Sequence, residues 1–192
     1  IGESAVYLER GEEGISRLNL ILTNMSEATR LEQMLQTSEK EKIDLSDVIH
    51  GCVEGYKLAY PDSRFELDVP NGSIHINGVP EYIAQLLDKL IANAAEFSYA
   101  DQPITVYCRT LRDHAVIKVS NAGPFLPDEM KDRLFDSMIS VRPQEKQKQP
   151  HLGMGLHIAR IITDFHGGQI RAENRSDREG VIISVVMPLF YR

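Results

Sequence analysis

The sequence predicts an α+β fold: a two-layer α/β sandwich with a mixed sheet on one side and helices on the other, preceded by a long coiled-coil-like helix. Residues 3–41 contain no proline, and their apolar residues recur at helical spacing. Stretches of helical periodicity and of alternating polarity then follow one another, an order that favours a layered α+β domain. With 42% hydrophobic residues among 192, the chain can bury a substantial core.

The long helix is predicted at residues 3–41, ahead of a domain at 42–192. A helix of this length with one apolar stripe needs a partner helix, from another chain or from sequence upstream. The alternative is an ordinary helix packed within the domain. The stripe consists of Ile15, Leu18, Leu22, Met25, Ala28, Leu31 and Leu35.

Local signals predict the remaining elements. Residues 39–42 form a charged joint, after which either Asp44 or Ser46 can cap a helix. Residues 142–149 have almost no apolar side chains, which indicates a mobile loop within a lid at about 126–152. Helical spacing predicts helices at 46–59, 80–97, 127–134 and 155–165. Alternation and turn residues predict strands at 64–69, 73–76, 104–111, 115–120, 169–174 and 180–187.

Composition excludes several classes of protein. The net charge of −7 argues against a nucleic-acid partner. Cys52 and Cys108 lack the spacing of a metal site or a disulfide framework, so we expect a reducing compartment. No apolar run is long enough to span a bilayer. Because the first residue is Ile1 rather than Met, we expect a piece of a longer protein, with any membrane anchor or sensor upstream.

One helix carries a polar residue on its apolar stripe. In the stretch 86–98, LLDKLIANAAEFS, Asn93 interrupts a row of leucine, isoleucine and alanine. A buried carboxamide without a partner costs a few kcal/mol, so Asn93 needs one. A metal ion with bound phosphates is one candidate partner, and a neighbouring loop is the other.

Two glycine-containing turns follow this helix. At 119–124, VSNAGP, the acceptor Asn121 precedes Gly123, which suits contact with the edge of a purine, although a plain Asn-Gly turn has the same sequence. At 151–156, HLGMGL, glycines open a helix, where backbone N–H groups and the helix dipole favour phosphate.

In this order, the motifs resemble the catalytic ATP-binding domain of bacterial sensor histidine kinases, within the superfamily of gyrase, Hsp90 and MutL ATPases. The resemblance covers residues 42–190 and implies the Bergerat-type fold. Residues 3–41 are then similar to the second helix of the dimerisation and phosphotransfer hairpin. The matching motifs are LIANAAEFS (N box), SNAGPFLP (first glycine box), LFDSM (F box), HLGMGLHIARIITDFHGG (second glycine box) and GVIISVVMPL (closing strand). Together with MSEATRLEQ, the segments LDKL, NAAEFS and VSNAGP are most similar to kinases associated with dedicated sortase systems.

The resemblance implies ATP and Mg²⁺ as cofactors and assigns roles to single residues. Asn93 would ligate Mg²⁺ as an oxygen donor. Phe97 would lie against the adenine face, and Asn121 would accept a hydrogen bond from the adenine amino group. Arg142, in the lid, could neutralise the γ-phosphate. The other implied nucleotide-binding residues are Gly123, Leu126, Gly153, Gly155 and Leu156.

Several positions depart from the family pattern. The family usually has aspartate at Asn121, and a neutral acceptor forms a weaker hydrogen bond than a charged one. It usually has a basic residue at Glu96, and asparagine or an acid at Lys89. We expect Glu96 to point away from the phosphates and Lys89, one turn back, to supply the missing charge as a catalytic residue. Phe125 and His151 each replace a glycine.

The implied activity needs a phosphoacceptor from elsewhere. None of the six histidines lies on the long helix in a His-Glu or His-Asp context, so the accepting histidine is expected on an upstream helix. His157 and His166 are expected to be structural, with His166 near a helix C-terminus, where positive charge is favourable.

The resemblance implies a cytoplasmic domain of a bacterial inner-membrane protein. It would form a homodimer through the long helix, transfer the ATP γ-phosphate to histidine, and pass it to an aspartate of a response regulator receiver domain. Two alternatives stay open. One is a nucleotide-binding scaffold that has lost kinase activity and works through dimerisation or phosphatase action. The other is a different ATPase of the superfamily, such as an anti-sigma serine kinase, against which the long helix argues.

Overall fold

A computed structural model of the chain describes residues 2–131, 133–136 and 154–191. Its helices are α1 (Gly2–Thr37), α2 (Leu45–Ala59), α3 (Pro80–Phe97) and α4 (Met154–Phe165), with a 3₁₀ turn at Asp128–Met130. Its strands are β1 (Glu41–Asp44), β2 (Arg64–Asp68), β3 (His75–Gly78), β4 (Pro103–Leu111), β5 (His114–Asn121), β6 (Gln169–Asn174) and β7 (Val181–Pro188).

Five strands form one mixed sheet in the order β2-β4-β5-β7-β6. Strands β2 and β4 are parallel, and the remaining neighbours are antiparallel. Alternate residues of β4, namely Ile104, Val106 and Cys108, are fully buried in the core shared with α3 and α4. The predicted two-layer arrangement of a mixed sheet and a helical layer is therefore confirmed.

The predicted helices and strands are found, with two exceptions. The first is β1, which lies where a charged joint was predicted. It pairs with β3 in a separate two-stranded sheet, and Ile43 faces Ile76, both buried. Glu41 and Lys42 are exposed. A strand with one inward apolar residue has too little alternation to be recognised from sequence.

The second exception is the helix predicted at 127–134. It is wrong, because among the described residues of this stretch, which are all but residue 132, the 3₁₀ turn Asp128–Met130 is the only helical element. Pro127 precedes the turn without a side-chain cap, and an ion pair of 2.5 Å between Lys131 and Asp128 closes it. Without a capping acceptor, the first N–H groups of a longer helix would have no partner.

The apolar stripe of α1 divides into two parts. Ala28, Leu31 and Leu35 are buried against the domain, and the hydroxyl of Ser38 lies 3.0 Å from that of Tyr82 on α3. Ile15, Leu18, Leu22 and Met25 are exposed. The C-terminal part of α1 thus packs on the domain, whereas its N-terminal part presents uncovered apolar side chains. None of the described helices combines the length and apolar composition needed to cross a membrane.

The start of α3 is held by a buried histidine at the end of α4. His166 Nδ1–H donates to the Ile162 carbonyl (2.7 Å), and Nε2 accepts from the Val79 N–H (3.2 Å). Val79 is the N-cap residue of α3 and has no side-chain cap, and the imidazole pairs the backbone N–H of this residue just before the helix begins. Desolvation lowers the pKa of His166, so the ring is neutral rather than carrying the positive charge that the sequence suggested.

Candidate functional site

Three predicted site residues lie on one face of α3. Lys89, Asn93 and Phe97 are spaced four residues apart, which places them in a row about 12 Å long. All three are half-buried at the margin of the apolar stripe, whereas Glu96 is exposed. The buried stripe itself consists of Tyr82, Ile83, Leu86, Leu87, Leu90, Ile91 and Ala94.

The first glycine turn meets the C-terminal end of this row. The Tyr99 N–H donates to the Ala122 carbonyl (2.8 Å), which joins the turn after β5 to the residues after α3. A Cβ atom at Gly123 would lie 2.1 Å from the Phe97 carbonyl oxygen, so only glycine fits there. On the other side, a Cβ atom at Gly180 would lie 2.1 Å from the Asn121 carbonyl oxygen. The backbone of Asn121 is therefore closely confined.

The side chain of Asn121 has an unmet hydrogen-bond donor. The residue is 3% exposed, and its buried Nδ2 has no hydrogen-bond partner among the residues that the structure describes. A buried donor left unpaired costs about 1–3 kcal/mol, and an unpaired group of this kind in a native fold calls for a ligand or water. A purine edge, which offers both acceptors and donors, fits this amide.

A residue that the sequence did not indicate holds the chain just after this turn. Asn174 Oδ1 accepts from the Leu126 N–H (2.7 Å), and its Nδ2 donates to the Leu126 carbonyl (2.8 Å). This bidentate contact satisfies both backbone groups of Leu126, as a neighbouring strand would, and so fixes this residue, which is buried in the core. The partners are 48 residues apart, so no local pattern could reveal the pair.

The described part of the second glycine turn, residues 154–156, meets the other end of the row. Gly155 lies at the start of α4, and a Cβ atom there would be 3.7 Å from Lys89 Cδ. Leu156, predicted to contact nucleotide, is buried in the core beside it. Gly153, Arg142 and most of the predicted lid at 126–152 lie outside the described residues, so those predictions stay predictions.

Lys89 already has a charged partner. Its Nζ lies 3.2 Å from Glu27 Oε1 on α1, with side-chain exposures of 24% and 42%. No sequence motif indicated Glu27 as a site residue. Only the docking of α1 on the domain, 62 residues away in sequence, brings it to the site. The cation predicted to serve phosphate is thus shared with the long helix.

The segment before α4 is tied to that helix. His157 Nδ1–H donates to the carbonyl oxygen of Phe135 (3.1 Å), which is itself buried. Arg160 forms an ion pair with Asp136 (3.3 Å). His157 and His166 both make structural contacts, as predicted. The F-box phenylalanine therefore anchors the described end of the lid region to α4.

The charged side chains elsewhere do not form a second centre. Within residues 2–131, 133–136 and 154–191, no group of three or more His, Cys, Asp or Glu side chains could hold a metal ion. A cavity of about 570 Å³ lies between α4 and β6 and contains none of the predicted site residues. Of its three lining cations, Lys131 and Arg160 are paired with Asp128 and Asp136, and Arg171 donates to Gln169 Oε1 (3.4 Å).

Comparison with known proteins gives consistent matches. A family model described as "Histidine kinase-, DNA gyrase B-, and HSP90-like ATPase" matches residues 78–190. The sensor protein ChvG of Agrobacterium fabrum is 30% identical over 177 residues, which are 88% of this chain and 30% of that protein. The sensor protein kinase WalK of Staphylococcus aureus is 23% identical over 184 residues, 95% of this chain and 44% of that protein.

Solved structures agree with the sequence matches. The catalytic domain of histidine kinase ThkA superposes with a TM-score of 0.67 and 25% identity, covering 79% of this chain and 96% of that domain. The present chain spans about three tenths of the length of ChvG.

Proposed function

Because this chain belongs to the family of histidine kinase-, DNA gyrase B- and HSP90-like ATPases, we propose that it is the catalytic ATP-binding domain of a sensor histidine kinase. It transfers the γ-phosphate of ATP to a histidine outside these 192 residues, from which an aspartate of a response regulator takes it. The domain lies on the cytoplasmic side of a bacterial inner membrane and is attached through another part of the protein.

One observation carries the proposal. The two glycine turns lie at opposite ends of the same α3 row: Gly123 packs against the Phe97 carbonyl, and Gly155 lies beside Lys89. Asn93 sits midway between them. A row of about 12 Å suits a nucleotide with its base at one turn and its phosphates at the other. The unpaired Asn121 amide at the base end supports this orientation.

At the base end, the residues bind the purine and orient it. Asn121 bonds the purine edge, Phe97 lies against the ring face, and Leu126 closes the wall where Asn174 holds it. Gly123 leaves the space that a side chain would fill. These contacts fix the distance from the base to the γ-phosphate, which is the positioning that phosphoryl transfer requires.

At the phosphate end, the residues neutralise charge. Asn93 would hold Mg²⁺ through its amide oxygen, and the bound ion would supply positive charge that stabilises the phosphates. Gly155, with Gly153 before it, presents backbone N–H groups at the start of α4, and Leu156 packs behind them. Lys89 provides the cation that Glu96 does not, and Arg142 adds a second from the lid.

The long helix α1 provides the dimer interface. Its exposed apolar residues, Ile15, Leu18, Leu22 and Met25, form a surface that a second copy of the helix covers. The buried part of α1 couples this dimer to the nucleotide site through the Glu27–Lys89 pair.

Isothermal titration calorimetry tests the site. We expect Asn93→Ala to lose Mg²⁺-dependent binding of ATP, because the metal ligand is removed. Asn77→Ala, the same change at an exposed position of β3, is the matched control and should bind like the parent chain. Unchanged affinity in Asn93→Ala contradicts the assignment of this residue.

A second experiment separates the kinase from a scaffold that binds nucleotide without transferring phosphate. The chain is incubated with labelled ATP and a separately made hairpin containing the acceptor histidine. Labelled histidine supports the kinase. Tight ATP binding without transfer supports the scaffold.

A further inference from the structure

Resting on the proposed nucleotide site, we infer that this site accepts 6-oxopurine nucleotides, of the inosine and guanosine type, about as well as adenine nucleotides. Asn121 is the residue that determines this selectivity. Only the base distinguishes 6-oxopurine nucleotides from adenine nucleotides, because the sugar and the phosphates are the same in both.

Adenine and the 6-oxopurines present opposite hydrogen-bonding groups at position 6 and at N1. Adenine has an amino donor at position 6 and an acceptor at N1, whereas hypoxanthine and guanine have a carbonyl acceptor at position 6 and an N–H donor at N1. An ionised carboxylate only accepts hydrogen bonds. Where it contacts position 6 of the base, it therefore bonds a 6-amino group and repels a 6-carbonyl oxygen. A carboxamide has one acceptor and two donor hydrogens, and it complements either edge with two hydrogen bonds.

The structure holds the position of Asn121 but not the orientation of its amide. The backbone is fixed by pairing with Val181 across β5 and β7 and by the close approach of Gly180. In the described part of the chain, no group hydrogen-bonds the buried Nδ2. Because no partner selects one of its two flipped orientations, the amide can turn to suit the base that enters.

Gly123 keeps this amide available. A Cβ atom at Gly123 would lie 2.9 Å from Asn121 Nδ2, and a methyl group there would press on the donor. The glycine therefore leaves the amide room to turn. With a 6-oxopurine, Nδ2 donates to the carbonyl at position 6 and Oδ1 accepts from N1–H. With adenine, Oδ1 accepts from the amino group and Nδ2 donates to N1.

Calorimetric titration of the 192-residue chain with ATP and with inosine triphosphate, each with Mg²⁺, tests the inference. Inosine triphosphate differs from ATP only at position 6 and N1. We expect the two dissociation constants to agree within about fivefold, because both bases make two hydrogen bonds. In Asn121→Asp we expect the ratio to shift towards ATP by about tenfold or more, since the charged acceptor meets the 6-carbonyl. Asn77→Asp, on β3, controls for added charge and should keep the parent ratio.

Purine riboside triphosphate, with hydrogen at position 6, supplies a measurement that needs no variant. It should bind about threefold or more weakly than both other nucleotides, because one hydrogen bond is lost. Equal affinity for all three nucleotides overturns the inference, as does an unchanged ratio in a folded Asn121→Asp. A parent chain that binds ATP tenfold more tightly than inosine triphosphate overturns it too, yet leaves the ATP site intact. Failure to bind any of them overturns the proposed function as well.

Discussion

The two ends of the α3 row are built in different ways. At the base end, Gly123 packs on the Phe97 carbonyl and Asn174 pairs with the backbone of Leu126, so the geometry is set within the domain. At the phosphate end, Gly155 has ordinary space around it, and the nearby lysine is paired with α1. The proposed base end is thus confined by packing within the domain, whereas the lysine at the proposed phosphate end is shared with the long helix.

The largest difference in stability is expected when the glycine at each end of the α3 row is replaced by alanine. We expect Gly123→Ala to lower the free energy of unfolding by about 3 kcal/mol, because its Cβ overlaps a backbone oxygen that cannot move alone. Gly155→Ala should stay within about 1 kcal/mol of the parent, since its Cβ meets only a lysine stem and alanine favours helix. Urea unfolding followed by circular dichroism measures both. Equal losses at the two glycines would remove the difference between the ends.

A smaller effect is expected at the clamp on Leu126. Asn174→Ala leaves the N–H and the carbonyl of a buried residue unpaired, at a cost of about 1–3 kcal/mol. Nucleotide affinity should fall with it, because the wall beside the base loses its support. Asn71→Ala, at an exposed turn position, is the control for chemical denaturation and for calorimetry. Full ATP affinity in Asn174→Ala would show that the clamp serves stability alone.

A third test concerns His166, which holds the start of α3, the helix that carries the whole row. Burial lowers the pKa of His166 in the folded chain, so the unfolded chain binds a proton first as the pH falls below about 6.5. Stability should be complete above that pH and decrease as the pH falls towards the folded pKa. His166→Gln should lose this pH-dependent part and about 1–2 kcal/mol at neutral pH, because Gln does not titrate and caps Val79 less well.

Thermal unfolding between about pH 7.5 and 5.5 measures the effect. If His166→Gln retains the full slope, another group is responsible for it.

The smallest effect on stability is expected at the phosphate end. Glu27→Gln should change the free energy of unfolding by less than about 1 kcal/mol, since partly exposed ion pairs contribute little. ATP affinity should rise a few-fold, because the charge of Lys89 is no longer shared. Glu32→Gln, on the exposed side of α1, should change neither. A loss of affinity in Glu27→Gln would mean that the glutamate orients the lysine for binding.

The sequence was sufficient where the information is local. Helix α3 has the predicted bounds, because Pro80 marks its start and the apolar stripe runs through it. It was insufficient where partners are distant. The Asn174 clamp and the Glu27–Lys89 pair join residues far apart, and β1 depends on pairing with β3 rather than on its own pattern. The roles of Arg142 and Gly153 and the dedicated-sortase resemblance stay predictions.

The short step from α1 into β1 limits how the nucleotide domain can travel. Only Ser38 to Lys40 separate Thr37 from Glu41, so even full extension opens a gap of about 14 Å. Release of α1 from the domain requires unpacking of Ala28, Leu31 and Leu35 as well as opening of the Glu27–Lys89 contact, and it would let the domain turn about the end of α1 only within this length. An acceptor group would then have to lie within this short distance of the end of α1. Inserting a few glycines into the connection would widen the range of positions that the domain can reach, without removing any of its proposed catalytic residues.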